Sequence, residues 1–379
     1  MKILHFSNEG LPDTRIDRYA SLFKDNKDTK VFFCGGLPKY ANYKNIFYDQ
    51  IINLPATPKH QLEVPFFYRA YKNAFKRIFL EINPNVVHAH NFFSAKVCFD
   101  LHIPYIYDDH EYWKLQVKAR TKEKNSKFSK RMLTNFRFNR LISKNEKKII
   151  ENASAVITVS DTIADEHKAY NENTYTISNF PASYEDILIP SARSNLNKLK
   201  VLLITNYSST TERISADKYI KSLSLHDTDL TVIGKVPPKF QNVTYLGYIP
   251  HIDLIKIIPN YHIGLQTFHG DKKEVGYFKY SSPNRVFLYL HAGLIPVIHE
   301  EMTYLRKILN DFSIVVNDET QLAEIIPKFA NNDDFIQNSP RKTQVFARQY
   351  LMFDSYFPLI SDIYQKFTNQ ISENNPFKT

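Results

Sequence analysis

The sequence predicts an α/β protein made of two doubly wound, Rossmann-like domains facing each other. Three observations predict it. Short apolar runs alternate with helical patterns up to about residue 159, a polar stretch follows at 182–199 (ASYEDILIPSARSNLNKL), and the alternation then restarts.

In the first half, residues 2–6 (KILHF), 30–34 (KVFFC), 85–89 (NVVHA), 104–107 (PYIY) and 155–159 (AVITV) read as short buried strands. Helical patterns lie between several of them, including 15–24 and 68–82. In the second half, strands are expected at 200–205, 229–233, 243–246, 262–266, 295–298 and 313–316. The stretch SSPNRVFLYLHAGLIPVI at 281–298 begins like a helix and ends like a buried strand. Ser281 or Ser282 can cap the first amides, and Pro283 suits the first helical position. Val286, Phe287 and Leu290 supply an apolar side, Gly293 closes the helix, and Ile295 to Ile298 reads as a central parallel strand. Such a helix start presents backbone donors and a positive dipole end, which suits a phosphate.

Composition narrows the class. A chain of 379 residues with 43% hydrophobic and 14% aromatic residues is that of a folded protein with a sizeable core. Its two cysteines, Cys34 and Cys98, exclude a disulfide framework or a cysteine-built zinc site and read as buried thiols of a reducing compartment. The first residues, MKILHFSNEG, go straight into a strand, and no run approaches the roughly 18 apolar residues of a spanning helix. A cytoplasmic protein is expected. The net charge of +10 is concentrated: Lys114 to Lys148 holds 13 Lys and Arg against two Glu, so the remainder is close to neutral. Phe128, Met132, Leu133, Phe136 and Leu141 recur there at roughly helical spacing. A basic amphipathic segment favours an anionic membrane surface, with a solvated helical face as the competing reading. No nucleic-acid motif accompanies the charge, so no nucleic-acid partner is expected.

Ligands of doubly wound sheets sit at the carboxyl ends of strands. The first such loop, SNEGLPDTRIDR at 7–18, holds Gly10 and leads through Asp13, Arg15, Asp17 and Arg18 into a helix. The three-glycine dinucleotide fingerprint is absent, and a helix cap with surface charges is the plain alternative. In VVHAHNFFSAK at 86–96, strand alternation puts His88 and His90 on one side, with His90 at the exposed end. In IYDDHEYW at 106–113, Asp108, Asp109, His110 and Glu111 leave another strand end. Two readings fit these residues. One is polar contact to a sugar and its leaving group, with His90 or Asp109 handling charge and protons. The other is a metal-dependent hydrolase built on His88, His90, Asp109 and His110. Further on, VIGKVPP at 232–238 places Gly234 after a strand, and NVTYLGYIP at 242–250 gives a strand followed by Gly247 and Pro250.

The order of VVHAH, YDDHE, AVITVS, TISNFP, VIGK, NVTYLGYIP and SPNRVFLYLHAGLIPVI resembles the GT-B fold glycosyltransferases once called "glycosyl transferases group 1", retaining and family 4-like. The resemblance implies an acceptor-side domain over 1–185, a nucleotide-sugar donor domain over 198–350, and a tail at 351–379 whose helix, near 352–368, crosses back onto the first domain. It implies that His90 contacts the transferred sugar; Asp109 and His110 remain further catalytic candidates from the strand-end reading above. Gly10 then lies near the donor phosphates, and the helix beginning at Ser282 holds the diphosphate through amides near Ser281, Ser282 and Asn284. Arg213, Lys279 and Arg285, and less directly Lys218 and Lys235 beside Gly234, are the cations placed to neutralise the leaving group. The family's ribose-holding Glu is Leu288 here and its second Glu is Tyr280, leaving Glu274 or Glu300 as substitutes. The resemblance implies no cofactor and no metal. It implies a nucleotide diphosphate sugar donor and a glycan or lipid-linked acceptor at the cytoplasmic membrane face. A catalytically silent GT-B binding protein is a further reading.

Overall fold

The structure is a computed structural model that describes residues 1–39, 43–55, 62, 64–115, 118, 142–187, 199–205, 210–224, 228–235, 237–240, 242–267, 276–330, 332–373 and 376–377. The chain divides into two compact units. One takes Met1–Thr121, Phe128–Ser178 and Asp354–Thr379, and the other takes Asn179–Phe353 together with 122–127, which lie outside the described residues.

The first unit holds a seven-stranded parallel sheet among the described residues, in the order β3-β2-β1-β4-β5-β6-β7. Its strands are β1 (Lys2–Gly10), β2 (Lys30–Gly36), β3 (Gln50–Asn53), β4 (Val86–His90), β5 (Ile106–Asp109), β6 (Ala155–Thr158) and β7 (Thr174–Thr176). Helices α1 (Thr14–Ser21), α2 (Pro65–Ile82), α3 (Asn91–Asp100), α4 (Ser143–Asn152) and α5 (Asp161–Lys168) connect them. The five central strands coincide with the apolar runs. The two outer ones, QIIN and TYT, have no such run, because an edge strand is covered on one side only.

The two faces of this sheet differ in chemistry. Leu4, Phe6, Val87 and Ala89 point into an apolar core with Tyr71, Phe75 and Phe79 of α2 and Phe92 and Val97 of α3. Cys34 and Cys98 are free thiols buried in that core, where desolvation pushes both above their usual value. On the opposite face, His5 and His88 meet Tyr19 of α1 and Tyr364 of the terminal helix Phe357–Glu373. The Tyr364 hydroxyl lies 2.7 Å from His88 Nδ1, and its ring stacks on Phe23 at 5.4 Å. That helix therefore packs within the first unit, somewhat displaced from the 352–368 read from the sequence.

Asp13 caps α1 by accepting from the amides of Arg15 and Ile16 at 3.1 and 3.3 Å. The charges that follow are not on the surface: Arg15, Asp17 and Arg18 are all buried.

The second unit carries six parallel strands among the described residues, in the order β10-β9-β8-β11-β12-β13. These are β8 (Leu199–Ile204), β9 (Thr228–Ile233), β10 (Thr244–Tyr245), β11 (Ile263–Leu265), β12 (Ile295–His299) and β13 (Ile314–Val316). They correspond to the six apolar runs within a residue or two. Helices α6 (Thr210–Leu223), α7 (His251–Ile257), α8 (Asn284–His291), α9 (Thr303–Leu309), α10 (Glu319–Ala330) and α11 (Asp333–Tyr350) complete the unit. In both sheets the strand order reverses beside the first strand, between β1 and β4 and between β8 and β11. Those reversals open crevices at strand carboxyl ends, where ligands of such sheets bind.

Gly10 illustrates how tightly one of these ends is built. A β-bulge shifts the register between Phe6 and Gly10, and a methyl group at Gly10 would sit 1.7 Å from the Leu37 carbonyl oxygen. Backbone packing alone therefore demands a glycine here, whatever a ligand requires. Gly10→Ala is expected to destabilise the protein by about 1–3 kcal/mol through overpacking, read as a lower denaturant midpoint with unchanged slope.

Candidate functional site

At the crevice of the first sheet, strand register brings the polar side chains together. His5 of β1 pairs with His88 of β4, and His90 pairs with Asp108 of β5, so all four point to one face. His5 Nδ1 lies 2.9 Å from His90 Nε2. His90 Nδ1 lies 3.2 Å from His110 Nε2 and 3.3 Å from Asp108 Oδ2, and His110 Nε2 lies 3.1 Å from the same oxygen. Arg15 grips that carboxylate from α1, with Nη2 donating to Oδ1 at 2.7 Å and Nε to Oδ2 at 3.0 Å. Its Nη1 donates to the Ile177 carbonyl at 2.8 Å, tying α1 to the chain beyond β7. His110 alone of the three histidines nearest Asp108 keeps some exposure, with 12% of its side chain accessible.

Two expectations are corrected here. His90 is fully buried, not at an exposed end, because α3 follows it directly and His5 covers its ring. Asp109 is not part of this group. One residue further along β5, it points to the other face and accepts from His167 Nε2 at 2.9 Å. The four-residue metal set built on Asp109 is therefore not assembled: Asp108 is the carboxylate that meets His90 and His110, and His88 groups with His5 and His90 instead. The sequence reading did not single out His5, and it named Arg15 and Asp108 in their loops without assigning either to the site. A period of two in KILHF and in IYDD carries the signal for His5 and Asp108.

Burial and charge set the protonation of the group. Burial pushes the Asp108 carboxyl up, but Arg15 and His110 outweigh it and hold it well below the usual carboxylate range. Burial lowers His90 to about 4, against a partial pull upward from Asp108. His5 and His88 are held well below the ordinary histidine value, chiefly by burial and then by His90. His110 is raised: burial would lower it, but the Asp108 carboxylate dominates. Neutral His90 thus stands between an anion held by arginine and a histidine whose proton affinity that anion raises. Such a group can exchange hydrogen bonds with sugar hydroxyls and carry positive charge at its rim.

In the second unit, α8 begins at Asn284 with Pro283 as its cap residue, and no side chain caps it. This corrects the serine-cap expectation. The Ser281 hydroxyl turns back to the Tyr277 carbonyl at 3.5 Å, and the buried Ser282 hydroxyl has no partner among the described residues. Asn179 Nδ2 donates to the Ser282 carbonyl at 2.9 Å and fixes the turn. Arg285 donates through Nη1 to the Ile204 carbonyl at the carboxyl end of β8. Lys279 is exposed, 4.6 Å from the ring centroid of buried Tyr280. Leu288 is 5% exposed and packs with Leu202, Ile233 and Leu254, so it is a core residue.

The remaining candidates are more scattered. A methyl at Gly234 would meet the Thr205 carbonyl oxygen at 1.7 Å, so this glycine also serves the approach of two strand ends. Lys235 is exposed beside Tyr248, 5.4 Å from its ring centroid. Lys218 pairs with Glu319 at 3.6 Å on the surface. Glu300 is exposed in the turn after β12. Arg213 belongs to α6, but its side chain lies outside the described part of the structure, as does Glu274 altogether. Most of the basic segment 114–148 also lies outside the described residues.

Comparison with known proteins agrees with this architecture. Residues 24–180 match the family model described as Glycosyltransferase Family 4. No curated protein matches the chain by sequence. Among solved structures, sucrose-phosphate synthase from Thermosynechococcus elongatus is similar with a TM-score of 0.71 at 13% identity, covering 97% of this chain and 99% of that one. HepE of Anabaena, in complex with UDP and glucose, gives a TM-score of 0.59 at 14% identity over 98% of this chain and all (100%) of that one. WaaG, a glycosyltransferase involved in lipopolysaccharide biosynthesis, gives 0.62 at 12% identity with 98% and 100% covered.

The histidine group makes a testable statement about acid stability. Unfolded histidines take up protons near pH 6.5, whereas folded His90 resists until about 4 and His5 and His88 are held down with it. The unfolded chain therefore binds more protons in that window, and stability falls as pH drops from about 6.5 toward 4. His110, raised by Asp108, opposes this by stabilising the fold below about pH 6.5 and losing that contribution as pH rises. Buried Asp17 and Glu146, raised by burial to about 7 and about 8, oppose it too, so the histidine contribution is read as a difference between variants. His88→Asn, which retains a partner for the Tyr364 hydroxyl, is expected to lose less urea midpoint than the unaltered protein, or gain more, on going from pH 7 to 5.

Proposed function

We propose that this chain, which has the GT-B fold and carries the Family 4 pattern over residues 24–180, is a glycosyltransferase. It moves a sugar from a nucleotide diphosphate sugar to a glycan or lipid-linked acceptor at the cytoplasmic face of a membrane. The observation that carries the donor assignment is the start of α8. A helix without a side-chain cap begins at the carboxyl side of a parallel sheet, beside a buried serine hydroxyl with no partner among the described residues. Backbone amides and a helix dipole are suited to a diphosphate, and a hydroxyl donor adds to them. The solved structure of HepE with UDP and glucose supports a donor of this class.

In this reading the diphosphate leaves with its charge met by the α8 terminus, Arg285 and Lys279, an electrostatic term that needs no ion from solution. Arg213 and Lys235 are further candidates from the loops of the same sheet. His90 and its partners act on the transferred sugar. Burial keeps His90 neutral, Asp108 raises the proton affinity of His110, and together they accept from and donate to hydroxyls while charge develops. The position of Leu288 does not hold the ribose, because a core leucine offers no acceptor. Of the two substitutes, Glu274 and Glu300, only Glu300 lies within the described residues, exposed after β12.

The membrane side of the proposal rests on charge and on one apolar tip. The excess of basic residues in 114–148 is joined by Val64, Phe66 and Phe67, which are 43%, 76% and 39% exposed at the start of α2, next to exposed Arg69. Aromatic rings beside cations suit an anionic lipid interface. No helix among the described residues is long and apolar enough to cross a membrane.

Two measurements check this reading. In a calorimetric panel of nucleotide diphosphate sugars, at least one is expected to bind, and His90→Ala is expected to lower kcat by more than it weakens that binding. Absence of binding by every member of the panel would move the silent-scaffold reading ahead. Vesicle binding is expected to rise with anionic lipid content and fall with salt, on the order of 1 kcal/mol per cation near the surface. Equal binding to neutral and anionic vesicles, or none to either, would remove the membrane assignment.

A further inference from the structure

We infer that His90, Asp108 and His110 form a binding site for one divalent transition-metal ion of the zinc type. The geometry carries it. His90 Nδ1, His110 Nε2 and Asp108 Oδ2 stand at the corners of a triangle with sides of 3.1, 3.2 and 3.3 Å. Ligand atoms about 2.0–2.2 Å from a tetrahedral ion are separated by about 3.3 Å from one another. The separations of the three atoms therefore match the ligand spacing of one such ion, and His110, with 12% of its side chain accessible, is the member through which the group reaches solvent.

The surroundings are those of a ligand set. His90 Nε2 lies 2.9 Å from His5 Nδ1, so a metal-bound His90 has an acceptor for its other ring proton. The Asp108 carboxylate is oriented by Arg15, which occupies Oδ1 and shares Oδ2 at 3.0 Å, leaving lone pairs of Oδ2 toward the rings. His88 Nε2 is fully buried, makes no hydrogen bond among the described residues, and lies 3.6 Å from Asp108 Oδ2. A polar atom left without a hydrogen bond in a dry site is costly, and it marks a site with more ligand capacity than protons to fill it. Two imidazoles and a carboxylate suit zinc, cobalt or iron rather than calcium or magnesium.

Binding is a proton exchange. Without the ion, the ring protons of His90 Nδ1 and His110 Nε2 fill the triangle and point to the carboxylate. The ion replaces them, two protons are released or moved to the far ring nitrogens, and affinity rises with pH. The guanidinium of Arg15 opposes the incoming charge and keeps the site selective for ions that bind nitrogen strongly. This inference does not rest on glycosyl transfer; if that reading holds as well, the ion and the sugar compete for His90.

The test uses the full chain, stripped with chelator and titrated with Co2+ alone and then Zn2+. One Co2+ per chain is expected, with visible d–d absorption of a low-coordinate nitrogen and oxygen site that Zn2+ bleaches. His110→Ala, at the rim of the group, is expected to weaken binding by more than about tenfold, since even outer-shell changes cost that much. His90→Ala is expected to abolish the absorption, with circular dichroism confirming that each variant is folded. No absorption on Co2+ addition, or affinity unchanged in His110→Ala, would overturn the site.

Discussion

Arg15 carries a guanidinium into a buried position, and Asp108 meets it there with both carboxylate oxygens. Burying two charges is repaid only when geometry and further hydrogen bonds are good. Here they are. The same guanidinium reaches Tyr19 at 3.1 Å and the Ile177 carbonyl, and the same carboxylate meets His90 and His110. The pair fixes the first turn of α1 against the carboxyl end of β5, on the face where β4 presents His88 and His90. Removing Arg15 leaves the buried carboxylate to the histidines alone, and removing Asp108 leaves a buried guanidinium without its carboxylate, so the histidine group depends on this contact.

From that constraint the chemistry of the first unit follows. The fixed anion raises His110 and opposes the burial that lowers His90, so adjacent imidazoles are pushed apart in proton affinity. Titratable groups pushed apart by their environments are a mark of functional sites. The second unit offers a different tool, backbone donors at the start of α8 held by Asn179 and flanked by Arg285. One unit supplies tuned side chains and the other a helix terminus.

The fold was largely readable because central parallel strands are buried on both faces and appear as continuous apolar runs. Leu199–Ile204 and Ile295–His299 are examples. Gln50–Asn53 and Thr174–Thr176 escaped because edge strands lack that run, and Asp333–Tyr350 because its helical pattern is polar and contains Pro340. The site was readable at the level of which strand ends matter, but not of which side chains meet. A shift of one residue separates Asp108, in the group, from Asp109, on the opposite face. Arg15 looked like a surface charge because its partner lies 93 residues away in the chain. The serines at 281 and 282 had the right chemistry for caps, but a turn through Pro283 put them one step too early.

The central claim, that one buried ion pair organises the histidine group, is tested most directly by a double-mutant cycle on stability with Arg15→Gln, Asp108→Asn and both together. Each single change is expected to cost about 3–5 kcal/mol by stranding a charge. The double variant is expected to cost clearly less than the sum, with a coupling of about 1–3 kcal/mol. Additive losses, with the histidine titrations unmoved in all three variants, would contradict the account.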